Sequence, residues 1–376
     1  MRKICYITGT RADYGLIRKT LLLLDGKEEV NLSLIVTGMH LCKEFGLTIN
    51  EIEKDGLRIC KTIPYNMFPQ TGSTMALGVS EIIRQCVQCF LKERPDILLV
   101  LGDRGEMLAA TIAAVHMNIP VAHIHGGERT GTIDESIRHA ISKMAHYHFV
   151  STHQAKLRLE KMGEVPDNIF VVGAPGLDGI KADAKLTRSD IALTLGLDGN
   201  EKWILFLMHP VVQDIHDRFL ETKQILNACL ETKSQIIALM PNSDSGGEGI
   251  KNAIESFRTS KQIKILTHVQ RNLFLSLLNN CDLLLGNSSS GIIEAASFGI
   301  PVINIGNRQN LRERNVNVID VKNNDNDLSQ IIKEQLLHGK YWLKNIYEYP
   351  NTCKTIVQLL TELKLDNVIL NKFNVY

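Results

Sequence analysis

What most constrains the fold of this chain is an alternation. Short aliphatic or β-branched runs, each long enough for one strand, are separated by longer stretches with apolar residues at helical spacing. Candidate strands lie at Ile4–Gly9, Leu32–Gly38, Leu57–Ile63, Ile97–Gly102, Val121–His125, Phe149–Ser151 and Ile169–Val172. Helical patterns lie near Tyr14–Leu24, Leu41–Lys54, Met75–Lys92, Glu106–His116, Ile133–His146 and Gln154–Met162. Strands that are apolar throughout are buried on both faces, so the pattern predicts a parallel sheet covered by helices on both sides. Ala174-Pro175-Gly176 and a polar segment, Lys181–Glu201, interrupt it without a strong strand. The alternation then restarts, with strands at Trp203–Met208, Ile236–Met240, Ile263–Leu266, Leu283–Leu285, Val302–Ile305 and Val318–Asp320. Its helices fall near Val212–Glu231, Gly249–Arg258, Arg271–Asn279, Ile292–Phe298 and Leu328–Leu337. A chain of 376 residues exceeds what one core usually organises. Two Rossmann-like, doubly wound α/β domains facing across a cleft are therefore expected, 1–175 and 176–376. A helix over Thr355–Leu365 would cross back to the first domain, while the tail Asn367–Tyr376 carries no usable signal.

Composition excludes several classes. The 42 Lys+Arg and 41 Asp+Glu leave a formal charge of +1, with no clustered basic face for nucleic acid. There is no apolar run of membrane-spanning length and no signal peptide, so a cytoplasmic protein without membrane or nucleic-acid partners is expected. The eight cysteines (5, 42, 60, 86, 89, 229, 281, 353) are scattered through apolar elements and read as buried thiols. Cys86 and Cys89 form a CxxC, but on a helical pattern and without a second pair, so it reads as structural.

The chemistry concentrates in the loops that follow strands, where ligands bind in open α/β sheets. His123–His139, HIHGGERTGTIDESIRH, runs from strand to loop to helix, and a neighbouring loop carries Leu101-Gly102-Asp103-Arg104-Gly105-Glu106. These present Asp103, His125, Glu128 and Asp134, with Arg104 and Arg138, to one crevice; carboxylates beside fixed cations suit acid/base chemistry on an anionic substrate. His123 and His125 alternate along a strand and could share a face toward a metal with Asp103. No HExxH or Cys/His set accompanies them, and no metal is expected. Gly9-Thr10-Arg11-Ala12-Asp13-Tyr14-Gly15 is neither GxGxxG nor a Walker loop. A glycine turn with an arginine at a helix start suits a phosphate; an ordinary turn with Asp13 as its cap is the plainer alternative.

In the second half, Leu285-Gly286-Asn287-Ser288-Ser289-Ser290-Gly291 leads into a helix and lets a phosphate approach backbone amides. Glu294 is placed to accept from sugar hydroxyls, or else to support a serine cap. Arg308 in Gly306-Asn307-Arg308-Gln309 is suited to a diphosphate. His209, Asn242 and His268 each end a strand.

Together, GTRADYG, GDR, HIHGGE, GTIDESIRH, HP, PNSD, GNSSSGIIEA and IGNRQ resemble the hydrolysing UDP-N-acetylglucosamine 2-epimerases of sialic acid biosynthesis, over about residues 3–320. The resemblance implies a GT-B-type fold of two Rossmann-like domains. It implies conversion of UDP-GlcNAc and water to N-acetylmannosamine and UDP, with no cofactor and no metal, in homodimers or homotetramers. It places Arg11, Asp13, Gly15 and Arg104 at the substrate, and His209 at the diphosphate. Asn242, His268 and Val269 help hold the nucleotide, Ser288 and Ser289 take the phosphates with Ser290 and Gly291 also at the UDP, and Glu294 takes the ribose and Arg308 the UDP side. Asp103 and Asp134 match catalytic carboxylates and Arg138 accompanies them. Many relatives have HIEGGE where this chain has His125, so either His125 takes over an acid/base role or Glu128 gains weight. Alternatives are a 2-epimerase acting on UDP-2,4-diacetamido-2,4,6-trideoxyglucose, as in legionaminic acid synthesis, a non-hydrolysing UDP-GlcNAc 2-epimerase, and a GT-B glycosyltransferase.

Overall fold

The computed structural model describes residues 1–211, 218–241, 244, 246–267, 269–322 and 327–375. The chain forms two compact units. The first comprises Met1–Glu128, Ile133–Asp178 and Tyr347–Tyr376; the second comprises Gly179–Ile346 together with the short excursion Arg129–Thr132.

The sheet of the first unit contains β1 (Arg2–Thr8), β2 (Val30–Thr37), β3 (Ile59–Ile63), β4 (Ile97–Leu101), β5 (Val121–Ile124), β6 (Tyr147–Val150) and β7 (Ile169–Val171). Their order across the sheet is β3-β2-β1-β4-β5-β6-β7, every pair parallel. Strands such as β4, Ile97–Leu101, are buried along their whole length, because helices cover both faces. One face packs Ile4, Tyr6, Leu34, Leu99 and Phe149 against the helices Arg11–Asp25 and Thr352–Glu362. The other packs Cys5, Ile7, Leu98 and Val100 against Gly72–Glu93 and Gly105–His116.

The second unit repeats the plan with β8 (Trp203–Leu207), β9 (Gln235–Leu239), β10 (Ile263–Leu266), β11 (Leu283–Gly286), β12 (Val302–Ile305) and β13 (Val318–Val321). Their order is β10-β9-β8-β11-β12-β13, again parallel. In both sheets the order reverses beside the first strand, between β1 and β4 and between β8 and β11. In open α/β sheets, ligands bind at the carboxyl ends of the strands beside such a reversal.

Local chemistry redraws several expected elements. The helix expected over residues 41–54 is reduced to Ile49–Lys54, preceded by 3-10 turns at Gly38–Leu41 and Lys43–Phe45. Left-handed backbone at Gly46 and Leu47 stops a helix from continuing. The polar segment Lys181–Glu201 holds the helices Ile180–Asp183 and Arg188–Leu195, the latter fixed by a Thr187/Asp190 capping box. The helix expected over Ile292–Phe298 is two short ones, Ser289–Ile293 and Ala295–Phe298. The helix expected from Val212 is described over Arg218–Leu230; residues 212–217 lie outside the described residues. Toward the C terminus, Thr352 Oγ donates to the carbonyl of Val172 at 2.7 Å, tying the last long helix to the end of β7.

Candidate active site

In the first unit the loops after β1, β4 and β5 carry the polar groups. After β1, Thr10 caps the helix Arg11–Asp25 in a reciprocal box with Asp13. The Asp13 carboxylate accepts from the amides of Gly9 (3.2 Å) and Thr10 (2.8 Å) and from the hydroxyls of Thr10 (2.9 Å) and Thr8. Burial pushes its pKa up to about 6 against those hydrogen bonds. Thr8 Oγ1 lies 2.9 Å from Nε2 of His40, whose Nδ1 lies 2.8 Å from Thr48 Oγ1, and burial lowers His40 to about 4. Asp13, expected at the substrate, thus serves the internal structure of this loop. Arg11 is half-buried in the first helical turn, and Gly15 lies within the same helix.

After β4, Gly102 has φ +86° and turns the chain so that Asp103 follows the strand end. Arg104 precedes the helix Gly105–His116, and its Nε lies 3.3 Å from Oε2 of Glu106. Glu106 is buried, with the Tyr65 hydroxyl 3.4 Å away.

After β5, His125 has φ +65°. The left-handed backbone breaks the two-residue alternation at this position, so the shared face with His123 that a strand would give is lost. His125 Nδ1 lies 2.6 Å from Oε1 of Glu128, which also accepts from the Ser151 hydroxyl at 2.6 Å. The imidazole Nε2 makes no hydrogen bond to any described residue.

The helix Ile133–Met144 brings in Asp134 in its first turn and Arg138 one turn later, on the same face. Arg138 is fully buried, forms an ion pair with Asp103, and donates from Nη1 to the Glu128 carbonyl at 3.0 Å. Burial opposes its charge, but Asp103, Glu128 and Asp134 together more than offset that and raise its pKa. Three carboxylates from three segments are thereby gathered around one buried guanidinium. Asp103 remains 25% exposed, so its carboxylate is accessible to a ligand while its partner is not.

In the second unit, Asn287 organises the loops after β8 and β11. Its side chain accepts from the His209 amide at 2.7 Å and donates to the His209 carbonyl at 2.9 Å. Its own carbonyl accepts from Arg308 Nη1 (3.1 Å) and Gln309 Nε2 (3.2 Å). Part of the Arg308 fork is therefore committed to holding loops together. Gly286, at φ +145°, passes so close to β8 that a Cβ would stand 1.9 Å from the Leu207 carbonyl, so no other residue fits. Ser288 caps Ser289–Ile293, with its hydroxyl 2.9 Å from that of Ser290. Ser290 and Gly291 are buried; Ser289 is half-buried. Glu294 is buried and ion-paired with Arg271. Val269 is buried, and Asn242 and His268 lie outside the described residues.

The sequence reading passed over Glu106, Ser151, Arg271 and the clamp made by the Asn287 side chain. Glu106 closes the GDRGE run and was open to recognition; Arg271 stands 23 residues before Glu294 in the chain, and nothing in that spacing signals a pair.

The profile of the UDP-N-acetylglucosamine 2-epimerase family matches residues 23–361. A protein of Legionella pneumophila named UDP-N,N'-diacetylbacillosamine 2-epimerase (hydrolyzing) is 47% identical over 376 residues, covering 100% of both chains. A UDP-N-acetylglucosamine 2-epimerase of Neisseria meningitidis serogroup B is 32% identical over 341 residues, 91% of this chain and 89% of that one. Among solved structures, UDP-GlcNAc 2-epimerase from Neisseria meningitidis bound to UDP-GlcNAc matches with a TM-score of 0.82 at 18% identity, covering 96% of this chain and 100% of that one. That likeness, with the two parallel sheets, places the chain in the GT-B-type α/β class expected from its sequence.

Proposed function

Because the chain belongs to the UDP-N-acetylglucosamine 2-epimerase family, we propose that it is a hydrolysing UDP-sugar 2-epimerase. We further propose that its sugar is N,N'-diacetylbacillosamine, which is 2,4-diacetamido-2,4,6-trideoxyglucose. The sequence ranked UDP-GlcNAc first; 47% identity along the full length to the Legionella pneumophila protein of that specificity favours the diacetamido sugar. UDP-GlcNAc stays as the second reading, supported by the 32% identity to the meningococcal protein.

The observation that carries the reading is the gathering of Asp103, Glu128 and Asp134 around Arg138, with His125 held by Glu128. A C2 proton of a sugar is a weak acid, so its removal must be coupled to departure of the group at C1. A base takes the C2 proton, the C2–H electrons form the C1–C2 double bond, and the C1–O bond breaks to release UDP. Water then adds its oxygen to C1, giving up a proton to a base, while an acid delivers a proton to C2 from the opposite face, giving the free manno sugar. Two acid/base groups on different faces are needed. Asp103 and Asp134 are the carboxylates for this, with His125 as the third group. Glu128 takes up Nδ1 of His125 and leaves Nε2 for proton transfer. In the second unit, Ser288, Ser289, Arg308 and His209 belong to the diphosphate, and Glu294 to the ribose. No metal or redox cofactor enters this scheme.

An NMR time course in D2O with each UDP-sugar tests it. UDP-diacetylbacillosamine should give free UDP and the manno sugar with deuterium at C2, at least about tenfold faster than UDP-GlcNAc is consumed. The reverse preference would select the second reading. An epimer still joined to UDP would refute hydrolysis.

A further inference from the structure

We infer that His123, clamped between Gly102 and Ser142 and backed by Lys372 of the C-terminal tail, is a positioning residue that holds Asp103 against the helix bearing Arg138 and Asp134. This inference rests on the proposed epimerase activity and concerns only the first unit.

His123 is fully buried on β5 and links two elements that the chemistry needs in register. Its Nε2 lies 2.8 Å from the carbonyl of Gly102, the residue before Asp103. Its Nδ1 lies 3.1 Å from the hydroxyl of Ser142, one turn beyond Arg138 on the same helix. A carbonyl only accepts, so Nε2 carries the proton and Nδ1 accepts from Ser142. Asp103 and Arg138 then close the ring on the other side through their ion pair. The path Gly102–His123–Ser142–helix–Arg138–Asp103 is a closed circuit, and loosening one link lets the carboxylate drift. Burial, with Arg138 and His148 nearby, lowers His123 to about 3 although the Gly102 carbonyl and the Asp103 charge oppose it, so the ring stays neutral at working pH. The pocket admits no slack. A Cβ on Gly126 would stand 3.0 Å from both His123 Nδ1 and Ser142 Oγ.

The tail secures the far end of that helix. Lys372 Nζ donates to the carbonyls of Ser142 (3.1 Å) and Ala145, which the helix itself leaves open. It also pairs at 2.5 Å with Glu164, a buried carboxylate that Lys143 and His148 join at 2.7 and 3.0 Å. Burial would raise Glu164, but those three partners hold it down at about 2. The amide of Val375 donates to the Gly163 carbonyl at 2.9 Å, pinning the end of the chain. A tail without any sequence signal thus fixes the axial position of the active-site helix.

The experiment is a set of full-length variants, Ser142→Ala, His123→Phe, Lys372→Met and the double Ser142→Ala/His123→Phe, assayed with the UDP-sugar that wild type turns over. Ser142→Ala should lower kcat about tenfold with KM and UDP affinity unchanged. The shape of its kcat–pH profile should also be unchanged, because the strut carries no charge. Lys372→Met should lower kcat about threefold in the same manner. The double variant should lose no more than His123→Phe alone, since both cut one link. Wild-type kcat in Ser142→Ala, multiplying losses in the double variant, or a shifted pH profile would overturn the inference. Independently of turnover, ¹⁵N NMR should show His123 as the neutral Nε2–H tautomer; an Nδ1–H tautomer would also overturn it. A wild type that turns over no UDP-sugar refutes the proposed function instead.

Discussion

The two units share one strand order, yet their polar interiors are built from different chemistry. In the first, His40, His123, His125, His146 and His148 are buried together with Asp13, Glu106, Glu128, Glu164 and Arg138. Among the described residues of the second, no histidine is buried, and the loops at the sheet reversal are organised by Asn287, Ser288, Ser290 and Gln309, with buried charge confined to permanently charged arginines and their carboxylates, as in Arg218–Glu221 and Arg271–Glu294. A unit that moves protons needs groups able to change charge, each held by partners that set when it does so. A unit that grips a nucleotide diphosphate needs donors whose charge does not change. In the proposed function one topology serves both tasks, because the loops, not the strands, carry the difference.

The comparison can be broken by exchanging the phenotypes. Asp103→Asn should cut kcat by about 10³-fold or more while UDP still binds. Near-native turnover would remove Asp103 from catalysis and weaken the assignment of proton transfer to the first unit. Glu294→Gln should do the opposite. It removes the charge opposite Arg271, so UDP affinity by calorimetry should fall about tenfold and KM rise, with kcat within a few-fold of wild type. A loss confined to kcat would contradict the division.

The smallest effect sharpens it through pH. His40 and His146 sit at about 4 and His123 at about 3 in the fold, against 6.5 unfolded. Their contribution is full above pH 6.5 and is lost as pH falls toward those values, because the unfolded chain then binds more protons. Asp13, raised to about 6, works the other way, favouring the fold as pH drops from about 6 to 3.8. The histidines outweigh it, so the first unit should lose on the order of a few kcal/mol by pH 5. Both tryptophans, Trp203 and Trp342, belong to the second unit. Hydrogen exchange in the first unit should therefore rise at acid pH before tryptophan fluorescence changes. Simultaneous loss would mean that the two units unfold as one.

Much of this was legible in the chain. The strands of both sheets fall within a few residues of the apolar runs, because a strand buried on both faces must be apolar throughout. Asp103 and Glu128 stand out as carboxylates in the loops that follow buried strands, and Asp134 and Arg138 as charges on the helix that the second of those loops leads into. The helix Arg188–Leu195 was missed because its stability comes from a capping box and a glycine stop, not from an apolar stripe. The tail was silent because its role rests on one lysine reaching backbone carbonyls, and backbone carbonyls have no sequence.

What the sequence determined by itself was the alternation, and with it two parallel sheets and the loops that hold the reactive groups. Period and polarity are local properties that any window of the chain displays. What only the tertiary structure decided was partnership. Arg138 gathered carboxylates from three segments, Glu294 met Arg271, and His123 became a strut while His125, two residues on, turned to Glu128. Each of those depends on distances between segments far apart in the chain or on one backbone angle, and the order of residues does not contain them.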